Sequence, residues 1–295
     1  MLQEVWPYAS CMRCVSTRCG KNRHGTGSAT RMNLSIVIPA YNEALRIGST
    51  LETVAAHAAG GSFYASSYEV FVVCDGCGDA TEQVVRGFAD RLPLRIVSYP
   101  VNRGKGYAVR QGVALSTGRV VAFMDADGAT PVRELEGLAE PILRNQAPIV
   151  IGSRRAKGAR LIVPQPLHRR VLGRAFALHT RLVLNMPVLD TQCGFKAFRG
   201  EVARELFAAL QCDGFAFDLE LLARAQARGL RVLEMGVEWQ ERPGSTVHPL
   251  RDGLRMLRAA WQLRNRMRNR KWRGCPVVAT APFSAPPHPL KAPLS

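Results

Sequence analysis

No stretch of this chain reaches the roughly 18 uncharged apolar residues of a membrane-crossing helix, and its first residues lack the roughly 7 to 15 residue apolar run of a secretory signal. The expectation is a soluble, cytoplasmic body. Acidic side chains are scarce, 23 against 40 Lys and Arg in 295 residues, for a formal charge of +17. No G-x-G-x-x-G follows the first apolar run and no Walker loop is present, so neither a dinucleotide enzyme nor an ATPase is indicated. Cys11 and Cys14 form a C-x-x-C with Cys19 and His24 nearby, but no second close pair completes a zinc site. Cys74, Cys77, Cys193 and Cys212 read as reduced thiols.

The excess charge is unevenly placed. Residues 1–31 carry a net +4, residues 32–250 only +4 from 25 basic and 21 acidic side chains, and residues 251–273 carry +8. A near-balanced body with basic ends, and no recognisable DNA- or RNA-binding motif, argues against nucleic acid as the partner. Residues 1–31 read as an irregular leader, and Met32, directly before the first apolar run, is an alternative start that would leave the leader outside the native protein.

From Leu34 onward, short apolar runs alternate with helical stretches, the pattern of βα units on a mainly parallel sheet. Strands are expected at Leu34–Pro39, Glu69–Cys74, Leu94–Tyr99, Val120–Met124 and Ile149–Gly152. Helices are expected at Ala44–Ala59, Ala80–Arg91, Gly106–Ser116 and Arg133–Asn145, with Asp79 and Thr130 as caps for two of them. In open α/β sheets ligands bind beyond the carboxyl ends of the strands. Acidic residues cluster there: Glu43 after the first strand, Asp75 and Asp79 after the second, Asp125 and Asp127 after the fourth. Such a rim repels itself unless a cation or hydrogen-bond donors sit among the carboxylates.

Asp125 and Asp127 are two apart, so in continuing strand conformation they face the same side and can share a hard cation, Mg²⁺ or Mn²⁺, which would neutralise a departing diphosphate. Asn102-Arg103-Gly104-Lys105-Gly106 adds donors and glycines at the same rim. His168 and His179 lie eleven apart on an expected helix without a third ligand, and read as core or surface.

With these residues in view, Ser35 to Glu43, Asp75, Asn102 to Gly106 and Asp125-Ala126-Asp127-Gly128 resemble glycosyltransferase family 2. Gly152-Ser153-Arg154, Asp190 to Lys196, Phe217-Asp218-Leu219-Glu220, and Trp239 before Gly244-Ser245 resemble its dolichyl-phosphate β-glucosyltransferase branch. The similarity spans about residues 32 to 265 and rests on many separated motifs in order.

The resemblance implies a GT-A fold over residues 32–249, a nucleotide half followed by an acceptor half, and inverting transfer of glucose from UDP-glucose to a polyprenyl phosphate. It implies that Pro39, Ala40, Tyr41 and Glu43 line the nucleoside pocket, that Asp75 accepts from uracil or ribose, and that Arg103, Lys105 and Lys196 approach the nucleotide or a phosphate. Asp125 would lie near ribose and metal, with Asp127 the direct metal ligand. Arg154, with Arg169, Arg170 and Arg174, would face the acceptor phosphate; Asp190 and Asp218 either orient the acceptor or donor or serve as a cap or an ion-pair partner of an arginine. Trp239 would pack in the sheet or the acceptor cleft. Mannosyl-phosphate synthases of the wider family carry a metal-binding Gln where this chain has Ala129, which favours glucose. A lipid phosphate is already anionic near neutral pH, its second pKa being about 6, so no strong general base is required.

Residues 250–273 form an expected basic amphipathic helix with Leu250, Leu254, Leu257 and Trp261 on one stripe and Met256, Leu263 and Met267 beside it. It would lie on an anionic membrane surface, its start docked on the body and its Arg264 to Arg273 portion meeting phospholipid, so the enzyme would be peripheral on the cytoplasmic face. Residues 274–295, rich in proline, are expected to be disordered. Competing readings keep the fold with another nucleotide sugar such as GDP-mannose or a non-polyprenyl acceptor. Readings of a different class are a basic nucleic-acid-binding protein and an inactive membrane scaffold.

Overall fold

The computed structural model describes residues 13–16, 33–61, 67–163, 167–242 and 249–268, with the side chains of 13–16, 167–172 and 249–252 outside the description. The expected α/β architecture is present. The strands are β1 (Arg13–Ser16), β2 (Leu34–Ala40), β3 (Tyr68–Asp75), β4 (Leu94–Tyr99), β5 (Val120–Met124), β6 (Ile149–Ser153), β7 (Arg160–Val163), β8 (Phe195–Arg199), β9 (Val232–Gly236) and β10 (Glu238–Gln240). The helices are α1 (Ile47–Ala59), α2 (Thr81–Arg86), α3 (Lys105–Leu115), α4 (Glu134–Leu143), α5 (Leu167–Leu184), α6 (Gly200–Ala208), α7 (Phe217–Ala227) and α8 (Pro249–Arg268).

Eight strands form one sheet in the order β1-β4-β3-β2-β5-β8-β6-β9, and β10 pairs with β7 in a small second sheet. β2, β3, β4 and β5 are parallel neighbours, as are β6 and β9, whereas β8 runs antiparallel between β5 and β6. Continuous apolar runs make this possible: every residue of β2, β5 and β6 is buried, as a sheet covered by helices on both faces requires. One face packs Ile36, Ile38, Val70 and Val72 against Leu51, Val54, Leu135 and Leu138 of α1 and α4. The other packs Val37, Phe71, Val73 and Phe123 against α3, α6 and α7. There Phe123 stacks on Phe198 at 6.2 Å between centroids and meets Phe217 at 5.7 Å.

Three local expectations are corrected. Within the leader read as irregular, Arg13–Ser16 forms an edge strand antiparallel to β4; Cys11, Cys19 and His24 lie outside the described residues, as do residues 274–295. Thr130 does not cap α4, which begins at Glu134 after Arg133, because Pro131 and Val132 interpose a turn. Asp79 does accept from the Thr81 N–H that opens α2, at 3.0 Å, but that helix ends at Arg86 rather than Arg91. Among the described residues no helix is long and apolar enough to cross a membrane.

Candidate active site

Register brings the acidic strand ends level. Ala40 lies opposite Cys74 and Asp75 opposite Tyr99, so β2, β3 and β4 end at one rim. Because β8 is antiparallel, its beginning comes to the same rim, Phe195 opposite Met124, and it carries the Asp190 to Gly194 segment with it. A side chain at Gly194 would put its Cβ 1.9 Å from Asp125 Oδ2, so only glycine lets this backbone lie against the carboxylate.

On the β2–β4 side, main-chain donors hold the acids. Buried Asp75 accepts from the N–H groups of Arg103 at 2.7 Å and Gly104 at 2.8 Å, which folds the Asn102 to Gly106 loop over the strand ends. Gly104 adopts φ 104° with Asp213 O so close that a Cβ would sit 2.5 Å from it. The Asn42 side-chain oxygen accepts from Gly78 N–H at 2.8 Å, and Glu43 takes two 2.6 Å contacts from Arg46. Arg103 stacks its guanidinium 4.5 Å from the Tyr107 ring centroid. Of the residues expected at the nucleoside, Tyr41, Glu43 and Arg103 present side chains at this rim, while Pro39 and Ala40 are buried and offer backbone only.

Asp125 and Asp127 line a cavity of about 710 Å³ together with Lys105, whose Nζ lies 2.5 Å from Asp125 Oδ1. Asp127 accepts from Ala129 N–H at 3.0 Å. Burial pushes the Asp127 carboxyl above its usual range and the Asp125 charge adds to this, against the Ala129 N–H, Lys105 and Arg46. Glu43 is also raised, by burial first; Arg46 opposes the shift and the charges of Asp127 and Asp125 reinforce it. Crowded oxygen donors that hold their negative charge reluctantly suit a hard divalent cation. Among the described residues no cluster of three or more His, Cys, Asp or Glu forms a metal cage.

Across the cavity, side-chain cations hold the acids. Arg154 grips Asp190 with Nε at 2.7 Å, Nη2 at 2.9 Å and its own backbone N–H at 3.1 Å. Burial of Asp190 opposes its ionisation, but the Arg154 charge and hydrogen bonds outweigh it and hold the carboxyl well below the usual range. Glu234 accepts from the N–H groups of Leu189 and Asp190, fixing the loop. Lys196 corrects its sequence reading: it is fully buried behind the cavity wall, donates to Asp218 and to Cys193 O, each at 2.6 Å, and does not reach the cavity. Asp218 does line the cavity, and Glu220 two residues on accepts from Gln211 and Cys212 N–H, pinning the loop beneath α3. Of the other arginines expected at a phosphate, Arg174 is exposed on α5 and does not line the cavity, and the side chains of Arg169 and Arg170 lie outside the described residues.

The far wall of the cavity is apolar. Ala175, Phe176 and Ala177 of α5 face Leu254, Met256 and Leu257 of α8, with Phe215 and Trp239 nearer the carboxylates. Trp239 thus sits in the cleft, with Arg154 5.5 Å from its ring centroid. Sequence reasoning missed Phe176, Phe215 and His179, and gave no role to Thr191 and Gln192 although they lie in the Asp190 to Lys196 motif; all five line the cavity. Nothing in the spacing of His168 and His179 indicated that the second would line a cavity.

A profile of the family described as "Glycosyl transferase family 2" matches residues 35–207. The chain belongs to glycosyl transferase family 2. Within that family it is 36% identical over 255 residues to a dolichyl-phosphate beta-glucosyltransferase of Drosophila melanogaster, covering 82% of this chain and 77% of the relative. The human dolichyl-phosphate beta-glucosyltransferase is 32% identical over 250 residues, covering 81% and 77%. Among solved structures, glucosyl-3-phosphoglycerate synthase from Mycobacterium tuberculosis with Mn²⁺, UDP and glucosyl-3-phosphoglycerate superposes with TM-score 0.59 at 21% identity, covering 79% of this chain and 80% of that one. Mannosyl-3-phosphoglycerate synthase from Rubrobacter xylanophilus gives 0.56 at 19% identity, covering 86% and 79%. These likenesses agree with the GT-A fold, and membership of the family makes the chain a glycosyltransferase.

Proposed function

We propose that this glycosyltransferase moves glucose from UDP-glucose to a polyprenyl phosphate of the dolichyl type, with inversion at the anomeric carbon. The observation that carries the reading is the mixed lining of the cavity, carboxylates and cations together with apolar side chains of α5 and α8. An acceptor with an anionic head and a hydrocarbon tail matches both kinds of lining, and a wholly water-soluble acceptor matches only one. The names of the relatives support the same choice.

Asp125 and Asp127 would hold a divalent cation, Mg²⁺ or Mn²⁺, which supplies charge neutralisation for the departing diphosphate. Tyr41, Glu43, Asp75 and Arg103 would receive the nucleoside side of the donor, and Lys105, held between Asp125 and the charge of Asp218, would meet the diphosphate. An acceptor phosphate oxygen forms the new bond to the anomeric carbon while the bond from that carbon to UDP breaks and its electron pair leaves with UDP. Arg154 is committed to Asp190 and acts as a fixed cation beside the cavity, setting the field for the incoming phosphate. The acceptor arrives already ionised, so Asp218 is needed for position rather than as a strong base.

Peripheral attachment on the cytoplasmic face belongs to the same proposal. Leu178 and Leu182 of α5, and Leu254 and Trp261 of α8, are exposed, with Arg255 and Arg258 exposed on α8. An anionic leaflet fits apolar side chains flanked by arginine. The test is transfer of labelled glucose from UDP-glucose, with Mg²⁺ or Mn²⁺, into an organic-extractable product that requires a polyprenyl phosphate. Transfer confined to water-soluble acceptors, or a thermal shift with GDP-mannose exceeding that with UDP-glucose, would overturn it.

A further inference from the structure

Three of the buried polar atoms that lack a partner belong to residues around one cavity. Thr191 Oγ1, Gln192 Nε2 and His179 Nε2 are each shielded from solvent and lack a hydrogen-bond partner among the described residues, and all three residues line the 710 Å³ cavity. Buried polar groups are rarely left unpaired, because the loss of water is then uncompensated. The coincidence of three such residues around one cavity marks a place built for a polar ligand.

Their chemistry narrows that ligand. A threonine hydroxyl, a glutamine amide nitrogen and an imidazole nitrogen can all donate. The cations Arg154 and Arg155 line the same cavity, and the neighbouring carboxylate, Asp190, is already neutralised by Arg154. Donors beside cations suit an anion with several acceptor oxygens. Their position narrows it further. Thr191 and Gln192 follow Asp190 on the segment that reaches the rim ahead of β8, whereas His179 sits on α5, its ring 6.3 Å from Trp261 of α8. The donors thus come both from the segment beside the carboxylate rim and from the helix that supplies apolar side chains to the same cavity.

We propose that Thr191, Gln192 and His179 form the subsite for the phosphate of the acceptor, distinct from the groups that hold the nucleotide diphosphate. The inference rests on the reading of the acceptor as a polyprenyl phosphate and adds the residues that recognise its head.

The orphaned state of these atoms supplies the test. Thr191→Val, Gln192→Met and His179→Phe remove the polar atoms with little change of shape. Each is expected to raise the KM for a polyprenyl phosphate about tenfold to a hundredfold, the effect of losing a hydrogen bond to a charged group. The KM for UDP-glucose and the thermal shift with UDP should stay unchanged, and the melting temperature of the free protein should hold or rise, since no native hydrogen bond is lost. A purely structural role would lower that melting temperature and leave the acceptor KM alone. The proposal is overturned if the variants change the KM for UDP-glucose instead, which would assign the donors to the sugar or its diphosphate, or if all three keep the wild-type acceptor KM. Where a variant fails to fold, Gln192→Glu in the folded protein serves: it places a like charge against the phosphate and must weaken the acceptor more than Gln192→Met does. Wild-type protein inactive on every polyprenyl phosphate would instead sink the function proposed above, an outcome separable from unaltered variants of an active enzyme.

Discussion

In the nucleotide half, main-chain N–H groups hold three of the acids: Asp75 takes Arg103 and Gly104, Asp79 takes Ala44 and Thr81, and Asp127 takes Ala129, while Arg46 holds Glu43. In the acceptor half, the two aspartates that line the cavity are held by side-chain cations, Asp190 by Arg154 and Asp218 by Lys196. An N–H group positions an anion without cancelling its charge, so the first set can still attract a cation. A guanidinium or ammonium cancels it, so the second set builds a neutral framework against which a phosphate and a hydrocarbon tail can lie. Lys105 bridges the two, against Asp125 and within the field of Asp218.

The comparison breaks most visibly at Asp127. Asp127→Asn is expected to lower turnover about a thousandfold or more, the equivalent of the several kcal/mol that a bound metal contributes, while the free protein melts no lower. The sign follows from the raised carboxyl. The folded state binds this proton more tightly than the unfolded chain, so wild-type stability should rise as pH falls from the raised value toward about 3.9. Loss of that rise in Asp127→Asn, read by thermal denaturation across pH without metal, checks the assignment; an unchanged turnover would remove it.

The ion pairs should respond in the opposite way. Asp218→Leu leaves the fully buried ammonium of Lys196 without its carboxylate, at a cost of about 3–5 kcal/mol, and adding Lys196→Met should restore most of it. Urea unfolding of the two variants measures this; a double variant no more stable than Asp218→Leu would show that the pair is not an isolated unit. Asp190→Asn is expected to cost less, about 1–3 kcal/mol, since Arg154 keeps some access to water. Here the folded pKa is depressed. The contribution is present above the ordinary carboxylate range near 3.9 and is lost as pH falls through the folded value below it, so wild type and variant should converge in acid.

The same division explains what was legible in the sequence. The β2–β5 framework followed from uninterrupted apolar runs, and the acidic rim from the residues that end them, because parallel strands of similar length place their ends together. What escaped was set by tertiary register. That Lys196 points into the core rather than at a nucleotide depends on β8 being antiparallel between β5 and β6, which no local pattern specifies. That Asp190 pairs with an arginine was one of the alternatives the residues themselves allowed, but choosing it required knowing that Arg154 lay 2.7 Å away, and the partner of Asp218 is a lysine, Lys196 at 2.6 Å. His179 reads as an ordinary helical residue until α8 packs beside α5.

Helix α8 shows the limit of periodicity and offers the smallest effect on stability. The stripe of Leu254, Leu257 and Trp261 is real, but the side chains buried against the body are Ala260 and Leu263, with Met267 packed beside them; Leu254 and Trp261 are 58% and 51% exposed. The expected lipid-facing end is corrected at two residues: Arg264 donates to Val183 O at 2.8 Å near the end of α5, and Arg266 donates to the Gln211 side chain at 3.0 Å, so both serve the body, while residues 269–273 lie outside the described residues. If the exposed stripe is a membrane surface, Leu254→Ser with Trp261→Ser should change folding stability by about 0.5 kcal/mol or less per site, yet sharply reduce co-sedimentation with anionic vesicles. Leu263→Ala should do the reverse, costing about 2–5 kcal/mol at unchanged vesicle binding by the folded fraction. Vesicle binding that ignores both exposed residues would remove α8 from the membrane surface and leave its apolar stripe to serve the acceptor cavity alone.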